Sequence, residues 1–222
     1  GCPDKSTIKK GACSALIKNP ELARHIIEAT IKGAGGLPVS VKTRIGFGTP
    51  DTENWVTTLL QTPIAALILH LRTVKEMSKP PAHWDQLKSA TVIRENLKSK
   101  TLIIGNGDVK SLKDARGKCQ EYGIDGVMIG RGIFENPWIF NEEKDIEKVP
   151  PQERIDLFIK HLNLYKTIWG DTKNFENMKK FVKCYVKGFR EASEIRERLM
   201  RTKSLDELIE ETCLISLNSD KI

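Results

Sequence analysis

The sequence predicts an α/β fold, a parallel barrel of strand–helix units, followed by a small all-α helical bundle. Three observations carry this expectation. Strands and helices alternate from the start of the chain to about Asn141. Clusters of polar and charged residues fall at the C-terminal ends of its strands. No strand-like run appears after about Val149.

The elements follow in order. Residues 19–36 (NPELARHIIEATIKGAGG) read as a helix that ends at glycines, and 38–47 (PVSVKTRIGF) as a strand. Residues 53–63 (ENWVTTLLQTP) give a helix and 64–73 (IAALILHLRT) a strand. The pattern repeats with helix 84–98, strand 101–108, helix 111–123 and strand 125–132. A short helix at 134–140 (FENPWIF) closes the series. Near-continuous apolar strands alternating with helices predict a parallel sheet buried on both faces.

Lys42 and Arg44, His70 and Arg72, Asn106 and Asp108, and Gly130 and Arg131 stand at four successive strand ends. A doubly wound sheet concentrates its site at one switch point, whereas a barrel uses every strand end. Four such ends favour the barrel. In the tail, 150–169, 174–200 and 204–217 read as helices. Pro150 and Pro151 mark a boundary, because proline suits the first helical position. Ser204 and Glu207 have capping-box spacing. The expected domains are therefore 1–148 and 149–222.

The 222 residues carry a net charge of +7, with 39% hydrophobic and 29% charged residues. Such a composition is that of an ordinary globular protein. A basic balance attracts polyanions such as RNA, and equally describes a solvated lysine-rich surface. No run of about 20 apolar residues occurs, so no membrane span is expected. No secretory signal pattern stands at the front. The five cysteines are scattered and form no CxxC pair, which argues against a zinc site and for a reducing, cytoplasmic compartment.

Several short motifs carry chemistry. Asn106-Gly107-Asp108 and Gly130-Arg131-Gly132 follow consecutive strands. Glycines let main-chain N–H groups approach an anion, and barrels bind phosphate at their last two loops. Arg131 adds a charge-assisted contact. Two ordinary tight turns are the plainer alternative. Lys42 and Arg44 share one face of a strand. Lys42 either meets an acceptor inside a barrel or extends to water. His70 ends an apolar strand, level with Lys42 and Asn106, and is either a structural histidine or a ligand contact. Cys2, in Gly-Cys-Pro, is either an acid or nucleophile or a small buried residue.

Taken in order, GCPDKSTIKKGACSALIKNPELA, VKTRIGF, LHLRT, GNGDV and GVMIGRGIFENPWIF resemble the tRNA-dihydrouridine synthase family. In the tail, MKKFVKCYVKGF resembles that family's helical domain as well. The resemblance implies the C-terminal half of a TIM (β/α)8 barrel, beginning after about the fourth strand, with a helical tRNA-binding domain behind it. It implies FMN-dependent reduction of a tRNA uridine to 5,6-dihydrouridine, with NADPH as electron donor. Cys2 would protonate C5 of the uracil. Lys42 would contact the flavin ring and His70 would lie beside it. Asn106, Gly107, Asp108, Gly130 and Arg131 would hold the ribityl phosphate, and Arg44 would either contact the substrate or support the site from behind the residues that do.

No metal is implied. The partner would be tRNA, with no DNA or membrane, and the full-length protein a monomer. Lys179, Lys180, Lys183, Lys187, Arg190, Arg196, Arg198, Arg201 and Lys203 crowd one stretch of the tail, and Lys183 and Lys187 are the expected RNA contacts. A non-catalytic tRNA-binding remnant and another FMN-barrel oxidoreductase acting on a small molecule are the alternatives. Cys13 and Leu71 stand where the family usually has glycine, and Phe181 and Cys184 where it commonly has His and Trp. The loop VKEMSKPPAHW after Thr73 also departs from the family's pattern.

Overall fold

A computed structural model describes residues 1–217. The chain divides into two compact units, Gly1–Gly132 and Ile133–Ile222, a division that falls upstream of the Pro150-Pro151 pair.

The first unit opens with α1 (Lys5–Lys9), capped by Asp4, whose carboxylate accepts from the Thr7 N–H at 2.9 Å. A 3-10 turn over Cys13–Lys18 leads to α2 (Pro20–Gly33). Asn19 caps α2 by accepting from the Leu22 N–H at 3.1 Å, Pro20 takes the first position, and left-handed Gly35 and Gly36 end it. Then β1 (Ser40–Arg44), α3 (Thr52–Leu60), β2 (Ala66–His70), α4 (Gln86–Asn96), β3 (Leu102–Asn106), α5 (Leu112–Tyr122) and β4 (Gly126–Met128) alternate. Ser111 caps α5 and Gly123, at φ +64°, stops it.

The four strands form one parallel sheet in the order β1-β2-β3-β4. Sequential order with no reversal leaves no switch point, and it matches consecutive units of a TIM barrel. Leu67, Leu69 and Ile103 are fully buried and join Val56, Leu59 and Leu87 of the helices in one apolar core. The alternate residues occupy the other face: Lys42 and Arg44, Ile68 and His70, Ile104 and Asn106. That face is only partly covered, with Leu102 49% exposed and Lys42 exposed. The expectation of two buried faces is thus corrected. The strands are apolar where they meet helices and polar toward their ends on the other side.

The second unit contains α6 from Ile133 on (Gly132–Glu135), α7 (Pro151–Trp169), α8 (Glu176–Lys179), α9 (Val182–Tyr185), α10 (Ala192–Arg201) and α11 (Leu205–Leu217). Phe158 and Leu162 of α7 pack with Met178, Val182, Leu199 and Leu208, and Phe158 stacks on Tyr185 at 4.9 Å. The single helix expected over 174–200 is instead three pieces. Gly188 at φ +78° and Glu191 at φ +60° turn the chain out of the right-handed helix between α9 and α10. The Ser204 hydroxyl accepts from the Glu207 N–H at 3.1 Å, as capping spacing predicts, while the Glu207 carboxylate reaches back to the Lys203 N–H at 2.6 Å. Among the described residues, no helix is long and apolar enough to cross a membrane.

Candidate functional site

Sheet register gathers the polar strand ends. Arg44 pairs with His70, His70 with Asn106, and Asn106 with Met128. These residues form one row on the partly covered face. Lys42 does not lie in that row as expected. It pairs with Ile68, one pleat earlier on the same face.

Cys2 is exposed and is tied to this edge by its neighbours. The Gly1 nitrogen donates to the Lys42 carbonyl at 3.2 Å, and Arg44 Nε donates to the Gly1 carbonyl at 3.1 Å. The Ser14 hydroxyl donates to the Cys2 carbonyl at 2.6 Å. Arg44 is itself buried, and its Nη1 donates to the Thr73 and Met77 carbonyls at 2.9 and 2.7 Å. Its Nε and Nη1 are thus occupied by main-chain oxygens, which makes Arg44 a brace for Gly1-Cys2. Cys13 has φ +53°, the left-handed region that favours glycine. That backbone explains why a glycine suits the position.

His70 sits among cations. Burial, then Arg44, Lys42 and Arg72, lower its pKa to about 4 against the opposing pull of Asp108. Arg72 Nη1 stands 3.5 Å from His70 Nε2. A guanidinium only donates, so Nε2 is the acceptor and Nδ1 carries the proton. The Lys42 ammonium is also drawn below the usual lysine value, by burial and then by the Arg44 charge, although the residue as a whole is exposed.

The turn after β3 is held by ion pairs. Asp108 lies at φ +53°, and its Oδ2 accepts from Arg72 Nη2 at 2.5 Å and from the Ala82 N–H at 2.9 Å. Arg131 Nη2 stands 3.8 Å from Asp108 Oδ1. Asp108 remains ionised: the bonds from Arg72 and Ala82 and the charges of Arg72 and Arg131 outweigh burial and hold its pKa below the usual carboxylate value. Asn106 Nδ2 donates to the Met128 carbonyl at 2.8 Å, tying β3 to β4. A Cβ on Gly130 would meet nothing within 4 Å, and the Arg131 side chain is 67% exposed. The Gly130-Arg131 turn is therefore open to a ligand.

Arg72, which the sequence marks only as a strand-end charge, has a definite part in this turn. It is 3% exposed, donates to the Pro80 carbonyl at 2.6 Å, and links His70 to Asp108. Its signal was the charge of LHLRT, two residues after the strand end. Lys183 and Lys187 lie in the second unit. Lys183 is exposed, and Lys187 Nζ donates to the Glu135 carbonyl at 2.5 Å. Lys179, counted among the tail's surface cations, is instead buried. It donates to the Thr202 carbonyl at 2.6 Å and pairs with Glu176 at 2.8 Å. Arg198 and Arg201 pair with Glu211 and Glu197.

Among the described residues, no group of His, Cys, Asp and Glu is arranged to hold a metal ion. A family model described as Dihydrouridine synthase (Dus) matches residues 1–220. Over 209 residues the chain is 44% identical to a "Probable tRNA-dihydrouridine synthase" of Staphylococcus aureus, covering 93% of this chain and 62% of that protein. A protein of the same name from Staphylococcus epidermidis is 43% identical, with 93% and 63% covered. The "Probable tRNA-dihydrouridine synthase 2" of Bacillus subtilis is 40% identical over 210 residues, with 94% and 63% covered. The chain thus spans less than two thirds of the length of these relatives. Over that span, the motif order, the parallel sheet and the match across nearly every residue agree: the chain belongs to the dihydrouridine synthase family.

Proposed function

We propose that this chain is part of a cytoplasmic enzyme that reduces a uridine of tRNA to 5,6-dihydrouridine, using FMN with NADPH as electron donor. Residues 1–148 form part of the cofactor-binding barrel, and 149–222 form a helical domain that binds tRNA. The observation that carries the reading is the row Arg44–His70–Asn106 with Gly1, the neighbour of Cys2, bound to the same sheet edge.

The donor set fits a flavin mononucleotide. The Gly130-Arg131 turn offers an open main chain and an exposed cation for the phosphate. Asn106, Gly107 and Asp108 form the neighbouring turn, where Asp108 acts through Arg131, since a carboxylate repels a phosphate. Lys42 and His70 supply polar contacts on the partly covered sheet face for the ring system.

When bound, the flavin supplies hydride to C6 of the uracil. Cys2 delivers a proton from its thiol to C5, completing the addition of two hydrogens across the C5–C6 bond. Arg44 fixes the main chain beside Cys2. His70, neutral at pH 7, contributes a hydrogen bond and no charge. The target base must leave its stack to reach Cys2, while Lys183 and Lys187 engage tRNA phosphates.

The experiment supplies the protein with FMN, NADPH and unmodified tRNA and reads dihydrouridine by mass spectrometry of the digested nucleosides. Dihydrouridine dependent on FMN supports the reading. A protein that binds tRNA and FMN but makes no product contradicts it and favours the non-catalytic remnant.

A further inference from the structure

We propose that residues 80–84, in the loop after β2, hold the Asn106–Asp108 turn in its cofactor-binding shape, with Trp84 as the positioning residue. This rests on the reading that the turn takes part in binding the FMN phosphate.

The turn needs such support. Gly107 has φ +145° and Asp108 φ +53°. A non-glycine residue in the left-handed region costs about 1 kcal/mol or more, and such backbone persists where its surroundings over-determine it. Residues 80–84 supply the constraint at three points. Trp84 Nε1 donates to the Gly107 carbonyl at 3.1 Å in a buried bond. The Ala82 N–H donates to Asp108 Oδ2 at 2.9 Å. The Pro80 carbonyl accepts from Arg72, whose other arm holds Asp108.

Sterics point the same way. A Cβ on Gly105 would fall 2.7 Å from the Trp84 ring, and a Cβ on Gly107 would fall 2.7 Å from Ala82 Cβ. Both glycines of the G-N-G sequence are therefore required by the brace that presses on them. The indole is held from outside by Lys118, 4.3 Å above its ring, and by Tyr122 at 5.9 Å. Trp84 touches no cofactor in this account; it acts through Gly107.

The test is Trp84→Phe, which keeps a ring against Gly105 and removes the donor to Gly107. FMN affinity is expected to fall about tenfold, while the rate at saturating FMN stays near wild type and the FMN-free protein, having lost part of a core side chain, melts about 2–8 °C lower. Unchanged FMN affinity in a folded variant overturns the inference. So does lost thermal stability with affinity intact, which is what a purely structural tryptophan gives. Hydrogen exchange of the wild-type protein is a second readout that needs no variant. FMN slows exchange in 82–84 together with 105–109, and protection of the turn alone overturns the inference. A wild-type protein that binds no FMN contradicts the underlying reading and takes this inference with it.

Discussion

Arg44 Nε donates to the Gly1 carbonyl at 3.1 Å, so the residue before Cys2 hangs from a buried guanidinium. The same group holds the Thr73 and Met77 carbonyls. Replacing Arg44 by Met leaves three carbonyls without a donor. The expected loss of stability is about 2–4 kcal/mol by urea unfolding, and the rate of uridine reduction falls more than FMN affinity does. Intact stability and rate in Arg44→Met would show that Cys2 is positioned by something else.

The pKa of His70 makes stability depend on pH with a defined sign. Above the ordinary imidazole value of 6.5, folded and unfolded chains both hold His70 neutral, and its contribution is complete. Between 6.5 and about 4 the unfolded chain takes up a proton that the folded chain refuses, so stability falls as pH falls. His70→Gln should flatten that slope, and NMR of the wild-type ring should show a midpoint about 4. A midpoint near 6.5 would contradict the burial and the cation cluster around it.

Lys183 and Lys187 carry the RNA reading of the tail. Changing both to Ala should weaken tRNA binding and reduce the slope of log affinity against log salt by about 1.5–2. Filter binding across a salt series measures it. An unchanged slope would return both residues to a solvated surface.

The strand ends of the first unit were legible because period-two alternation and strand–helix spacing place side chains before any contact is known. His70 and Asn106 fell level with each other from that logic alone, whereas the row was completed by Lys42 in the sequence and by Arg44 in the sheet. The offset of Lys42 was not legible, since register depends on how strands pair and not on either strand by itself. That Arg44 braces the main chain was not legible, because its three carbonyl partners come from distant parts of the chain. The parts played by Arg72 and Trp84 escaped for the same reason: their partners at 105–108 lie more than twenty residues away. In the tail, helical periodicity ran across Gly188 and Glu191, and only their positive φ values reveal the break.

The most direct measurement compares wild-type protein with Cys2→Ala in the same reaction, reading both bound FMN and dihydrouridine in tRNA. The account predicts equal FMN and a loss of product formation of about a hundredfold or more. A Cys2→Ala protein that keeps full activity on tRNA would contradict the assignment of Cys2 as the proton donor.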